Sequence, residues 1–421
     1  TGDGGKVVIG GIGDDTISAV DGINVIFGDN ARLDYDRIAE TGVLLKATSL
    51  ERVLGGNDTI TVRDGYKLIS GGRGEDTITV NASTTPEAQG EAFQTIGGFK
   101  HLAGVTGIAA VTSGGGLTSA QRAENRGRTG RYIAGDNAEF ELDRFGGITV
   151  MATTDAIAAT GGADTIKIGQ TNTTADLGFN AAMGGIGSDT IEIASGSYSQ
   201  NILLGDNGTL TRQPTTYELS RIESTITNTG GDDLIKSGSG DHIVIGGFGR
   251  DRIDLATPAD RASQETGGFN RSIVLGDSGV IDFNRDQLRF IESTSLRNGN
   301  DDVVTIGDGD VTFIGGVGND QLTVNSSESA FPIAVGDNAR LDFAQTTDFS
   351  AQAGELTRLT SADLRSSTGG NDVMRIGLAA PLTADLGEVI GVGGMGSDEI
   401  RIGGGRAVAT LLGDNVRLDR V

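Results

Sequence analysis

One motif constrains this chain more than any other feature. Gly-Gly-x-Gly-x-Asp-x-aliphatic recurs in full six times, as GGIGDDTI from Gly10, GGRGEDTI from Gly71, GGIGSDTI from Gly184, GGFGRDRI from Gly246, GGVGNDQL from Gly315 and GGMGSDEI from Gly393. A shortened form precedes five of the six: GGNDTI at 55, GGADTI at 161, GGDDLI at 230, GNDDVV at 299 and GGNDVM at 369. A third element follows every full copy: GDNARLDY at 28, GDNAEFEL at 135, GDNGTLTR at 205, GDSGVIDF at 276, GDNARLDF at 336 and GDNVRLDR at 413. Self-similarity of this kind marks a stacked repeat architecture. The order within a unit is short motif, strand, full motif, strand, then Gly-Asp-Asn/Ser opening a segment that returns to the next short motif. About five and a half units fill the chain, at approximately 1–54, 55–160, 161–229, 230–298, 299–368 and 369–421, with an insertion at about 81–131.

Within a unit, short β-branched runs alternate with Gly/Asp turns, which reads as strands of about five residues. Two such strands and two turns make a lap of roughly 16 to 18 residues. Period-2 alternation places Ile60 and Val62, and Ile78 and Val80, on one face, with Thr59, Thr61, Thr77 and Thr79 on the other. The expected fold is all-β, a parallel β-roll or β-solenoid of two thin sheets burying aliphatic ladders. The return segments, such as residues 31–49, are expected to project as β-hairpins. A β-propeller is the alternative, since units of about 70 residues also suit blades.

Composition fits narrow aliphatic packing: 69 Gly, no Trp and 5% aromatic residues. A net charge of −24 argues against nucleic acid, whose phosphates need a basic face, and invites a cation as partner. No apolar run approaches the ~18 residues of a membrane span. With no Cys there are neither disulfides nor thiolate metal sites.

The turns carry the chemistry. Calcium takes six to eight oxygens at ~2.3–2.6 Å, mostly carboxylates and carbonyls. A Gly-rich turn aims carbonyls inward and its terminal Asp adds a carboxylate. A single Gly-Asp pair reads equally as a β-turn residue bonding its own backbone; six full copies favour the cation. The leading ligands are Asp15, Asp76, Asp189, Asp251, Asp320 and Asp398, and Asp58, Asp164, Asp233, Asp302 and Asp372 hold the same place in the short motifs. Asp29, Asp136, Asp206, Asp277, Asp337 and Asp414 form a third rank, either ligands or Asx-turn residues that redirect the chain into the hairpin.

The full motifs resemble the glycine-rich nonapeptide of hemolysin-type (RTX) calcium-binding proteins, whose β-roll binds calcium between successive turns. Family arrays repeat in tandem, whereas here each full motif is bracketed by variants, which leaves the number of complete cages open. The GDNARLDY-type elements are similar to repeat regions of large secreted bacterial adhesins. The resemblance implies Ca2+ as cofactor and an extracellular, secreted or cell-surface location. It implies a structural segment of an adhesin, surface, biofilm-matrix or fibre protein, or else a non-catalytic calcium module attached to a secreted enzyme.

Catalysis finds little support: His101 and His242 are the only histidines, and His242 alternates as an ordinary strand residue. Ice binding would need an unbroken outward Thr-x-Thr rank, which IKIG, IEIA and IRIG interrupt. Arg122, Arg126, Arg128 and Arg131 in the insertion read as a solvated loop, as a contact to the acidic face of a neighbouring copy, or as a polyanion-binding segment. Both ends lie inside a unit, so the chain is expected to continue into further repeats or to stack against copies of itself.

Overall fold

The computed structural model describes residues 5–36, 42–50, 54–83, 95–96, 99–100, 130–156, 160–169, 177–196, 199–255, 271–307, 309–325, 331–345, 355–362, 368–378, 385–403 and 406–420. Apart from a two-stranded antiparallel pair, Thr95–Ile96 with Phe99–Lys100, its strands form two long parallel sheets, of 12 and 11 strands, and one 11-stranded antiparallel sheet. The chain coils between the parallel pair. Thr59–Val62 lies in the outer sheet, Lys67–Ser70 in the inner, Thr77–Val80 in the outer again and Arg131–Ala134 in the inner. It then leaves for the hairpin Ala138–Leu142 and Ile148–Thr153 before re-entering the outer sheet at Thr165–Ile168.

Register follows from the repeat. Ile60 pairs with Ile78 and Val62 with Val80, and Ile78 pairs in turn with Ile166. All of these are fully buried, whereas Thr59 and Thr77 are exposed, as the alternation predicts. Stacking like on like builds continuous aliphatic rows, each buried side chain contributing about 1.5–3 kcal/mol. Because successive laps pair in open parallel sheets, the propeller alternative is excluded.

The hairpins do not project, and here the expectation is corrected. They pair side by side into the antiparallel sheet, which lies on the back of the inner sheet to give three layers. The reason is alternation on both sides. In the strand NVIF, Val25 and Phe27 share a core with hairpin residues Leu44, Ala47 and Phe140, while Ile26 joins the other core with Ile17 and Ile60. Phe27 and Phe140 meet edge to face at 6.2 Å. Covering both faces of the inner sheet removes the apolar surface that projecting hairpins would leave wet.

Of the basic cluster assigned to the insertion, Arg122, Arg126 and Arg128 lie outside the described residues, as does His101. Arg131 is not a loop cation. It begins an inner strand, fully buried, and donates to Leu177 O at 2.6 Å. His242 sits buried in the inner strand Asp241–Gly247, and burial pushes its pKa down to about 4.

Candidate functional site

The repeated turns all fall at one corner, where the chain passes from inner to outer sheet. There the carboxylates of the full and short motifs merge into a single row. Each Asp backbone N–H donates to Oδ1 of the Asp one lap further on. The series runs Asp15 to Asp58, Asp76, Asp164, Asp189, Asp233, Asp251, Asp302, Asp320, Asp372 and Asp398, at 2.6–3.0 Å throughout. The eleven residues were singled out from the sequence as two groups; the fold makes them one ladder.

Only one oxygen of each carboxylate is used in this way. Oδ2 of Asp58, Asp76, Asp164, Asp189, Asp233, Asp251, Asp302, Asp320 and Asp372 is buried without a hydrogen-bond donor. These nine side chains are all within about 2% of complete burial. A buried polar atom without a partner costs ~1–3 kcal/mol, more when charged. A few such atoms would rival the ~5–15 kcal/mol net stability of a domain.

Glycine is required beside each of them by close approach. A Cβ on Gly28 would lie 2.0 Å from Asp58 Oδ2 and 2.3 Å from Gly71 O. On Gly71 it would lie 2.4 Å from Asp76 Oδ2 and 2.3 Å from Gly135 O. A carboxylate oxygen and a carbonyl oxygen from the adjoining lap therefore crowd the same side of the glycine. Within the full motif, Gly72 and Gly74 adopt φ of 116° and 134°, a region that side chains rarely enter.

Burial drives the carboxyl pKa values upward, to about 6 for Asp58, about 7 for Asp189 and Asp251, and about 8 for Asp76 and Asp372. For Asp164, Asp233, Asp302 and Asp320 burial raises them further, and repulsion from neighbouring carboxylates adds to it. Such a row must take up protons or a cation at neutral pH.

The Gly-Asp-Asn/Ser aspartates lie beside the ladder, and sequence reasoning left their role open between two readings. Asp136 accepts from Gly162 N at 3.2 Å and Ile186 N at 2.5 Å, and Asp277 from Val317 N at 2.5 Å. Asp29 accepts from Arg73 N at 2.7 Å. Asp206 accepts from Gly231 N at 3.3 Å and from Phe248 N, and Asp337 from Gly370 N at 3.1 Å and from Met395 N. These bonds run to the short motif beyond the hairpin and to the full motif of the next lap, rather than within the Gly-Asp-Asn/Ser element itself. Asp414 is exposed at the end of the row.

Sequence reasoning missed a second, exposed ladder made by residues that precede the ladder Asp, interrupted at Ala163, which has no side-chain acceptor. Asn57 N donates to Asp14 Oδ1, Glu75 N to Asn57 Oδ1, Arg250 N to Asp232 Oδ1 and Asn319 N to Asp301 Oδ1, all at 2.8–3.0 Å. The recurrence of Asp, Asn and Ser at that place was its signal.

The donors at this corner are oxygen only. Among the described residues no three His, Cys, Asp or Glu side chains converge as a metal-ligating group. A cation here would be held by one or two carboxylates, the rest of its shell being backbone carbonyls. Buried Oδ2 atoms lacking donors, crowded by carbonyls, fit a hard divalent cation such as Ca2+. Elsewhere, a shallow depression on the hairpin sheet is lined by Arg340, Asp342, Thr357, Arg358, Arg417, Asp419 and Arg420. Its charges are paired, Arg358 with Asp419 at 2.7 Å, Arg417 with Asp419 at 2.9 Å, and Arg420 with Glu388 outside the depression at 2.7 Å.

No protein-family model matches the chain, and neither a curated protein nor a solved structure does so.

Proposed function

We propose that this chain is a calcium-stabilised structural segment of a large extracellular protein, such as a surface adhesin or a matrix fibre. The observation that supports it is the row of buried Asp Oδ2 atoms with no hydrogen-bond donor. Calcium bound along the row would neutralise the carboxylates and complete their coordination. Asp58, Asp76, Asp164, Asp189, Asp233, Asp251, Asp302, Asp320 and Asp372 would hold it with carbonyls of the adjoining glycines, and Asp15 and Asp398 would extend the row. Calcium-dependent folding suits a segment that stays unfolded where calcium is scarce and sets into a stiff rod outside the cell, where extracellular modules bind at ~10⁻⁴ to 10⁻³ M. At ten times Kd each site adds about 1.4 kcal/mol.

Circular dichroism through a melt, with chelator and then with calcium restored, tests the reading. A melting temperature lowered in chelator and recovered with calcium is expected, with magnesium a poor substitute because it demands a tighter octahedron. An unchanged melting temperature throughout contradicts it. The same calcium-binding segment attached to a secreted enzyme is the second reading, and the corner chemistry serves both equally.

A further inference from the structure

The hairpin-bearing laps contain no contiguous six-residue motif, yet their pieces fall in register with one. Gly28 and Asp29, before the hairpin, occupy the places of Gly71 and Gly72. Gly55, Gly56, Asn57 and Asp58, after it, occupy those of Arg73, Gly74, Glu75 and Asp76. The backbone ladders show the match. At the second place, Gly72 N donates to Gly135 O at 3.0 Å, and Asp136 N to Gly184 O at 3.2 Å. At the fourth, a Cβ on Gly74 would meet Gly56 O at 2.2 Å, and one on Gly162 would meet Gly74 O at 1.7 Å. At the sixth, the Asp ladder runs through both kinds of lap without a break.

We infer that each hairpin is inserted between the second and third places of a complete cation-binding turn, and that the Asp of Gly-Asp-Asn/Ser is the positioning residue that holds the split turn closed. This rests on the calcium reading above. In the contiguous motif the peptide bond joins the second and third places. In the split motif the carboxylate of Asp206 spans the gap instead. Oδ1 accepts from Gly231 N, at the fourth place of its own lap, and Oδ2 from Phe248 N, at the third place of the next. Asp136 repeats this with Gly162 and Ile186, and Asp337 with Gly370 and Met395, while Asp29 and Asp277 make the Oδ2 bond alone, to Arg73 N and Val317 N. The substitution is sterically possible because Asp29, Asp136, Asp206, Asp277 and Asp337 lack the positive φ of the glycines that fill the second place in contiguous motifs. The orphaned Oδ2 atoms make the same point: those of the split laps, on Asp58, Asp164, Asp233, Asp302 and Asp372, are as buried and as unpartnered as those of Asp76, Asp189, Asp251 and Asp320.

Native mass spectrometry of the whole chain titrated with Ca2+ counts the sites. About ten ions are expected, one for each gap joined by an Asp-to-Asp hydrogen bond, whereas six or fewer would overturn the inference while leaving the calcium reading intact. No bound calcium at all would instead overturn the calcium reading. Two variants then test the positioning role by amide exchange, with and without Ca2+. Asp206→Asn should speed exchange of the Phe248 amide by about tenfold or more, and unchanged exchange refutes the clamp. Replacing residues 29–54 by one glycine makes the first split turn contiguous. It should keep the calcium count of the parent chain, and loss of an ion would refute the equivalence. Should that variant fail to fold, the Asp206→Asn exchange and the ion count still decide.

Discussion

The two corners of the coil meet the same problem with opposite chemistry. At each, the chain turns between sheets and leaves backbone and side-chain polar groups inside a stack of laps. At the corner leading from outer to inner sheet the protein supplies its own donors. Asn24, Lys67, Arg131, Asn180, Asn201, His242 and Ser272 follow one another in register along the inner sheet. Lys67 Nζ donates to Gly22 O at 2.5 Å and to Asp64 O at 2.7 Å, and Arg131 reaches Leu177 O. Asn24 donates to Val20 O and Gly22 O, and Asn201 to the hydroxyls of Ser195 and Ser237. At the aspartate corner the side chains bring only acceptors, and each interior Asp keeps one oxygen without a donor. Buried ladders are tolerated where donors and acceptors balance. The donor row has unpartnered atoms too, Asn24 Oδ1 and His242 Nε2 among them, but they are of both kinds, whereas the aspartate corner leaves an unbroken file of acceptors that a bound cation would satisfy.

Substitutions should separate the corners by their calcium dependence. The largest effect is expected for Asp251→Ala, which removes the acceptor of Asp233 N and one carboxylate of the ladder. In saturating calcium it should cost about 3 kcal/mol or more, and in chelator much less, read from denaturant melts. Lys67→Met at the other corner strips two carbonyls of their donor and should cost about 1–3 kcal/mol, equally with and without calcium. If both variants showed the same calcium dependence, the contrast would fail.

The pH dependence should also have opposite signs. Raised carboxyl pKa values mean that the calcium-free fold is favoured by protons. Its stability is fully present below about pH 4 and is lost as pH rises through about 6 to 8, the range of Asp58, Asp189, Asp251, Asp76 and Asp372. Saturating calcium should abolish or reverse that slope, because binding requires the ionised form. His242 acts the other way: its lowered pKa gives stability present above about 6.5 and lost as pH falls through about 4. Melting temperatures from pH 4 to 8, with and without calcium and in His242→Asn, would resolve the two. A calcium-free melt that improves as pH rises contradicts the ladder's part.

The same contrast explains what could be read from the sequence. At the aspartate corner only Gly fits against the next lap and only Asp continues the ladder, so the motif is repeated almost letter for letter. At the donor corner any side chain that offers N–H or O–H suffices. Asn, Lys, Arg, His and Ser take turns, and the row left no visible repeat. The third layer was also overlooked, though its signal was present: outer strands such as TITV alternate in polarity, while inner strands such as NVIF and RYIA are buried at every position, as a sheet covered on both faces requires. The split turn was hidden by the hairpin, which separates Asp29 from Gly55 in sequence but not in register.

The smallest effect is expected on the outer face of the hairpin sheet, away from both corners. There Lys46 meets Glu139 and Glu141 of the next hairpin at 2.5 and 3.1 Å, and Arg340 meets Glu292 at 2.6 Å. These partly exposed pairs tie neighbouring hairpins, and Arg340→Ala should cost under about 1 kcal/mol, less in high salt and independently of calcium. A loss as large as that of Asp251→Ala would mean that the hairpin layer, rather than the aspartate corner, governs stability.

The central claim is that cations neutralise the aspartate corner, and anomalous diffraction from crystals grown in calcium tests it most directly. The account predicts a file of calcium peaks beside Oδ2 of Asp164, Asp189, Asp233 and Asp251, one between each pair of laps, and none at the Lys67 and Arg131 corner. A corner free of peaks, with those Oδ2 atoms protonated and hydrogen-bonded to carbonyls or water, would contradict it.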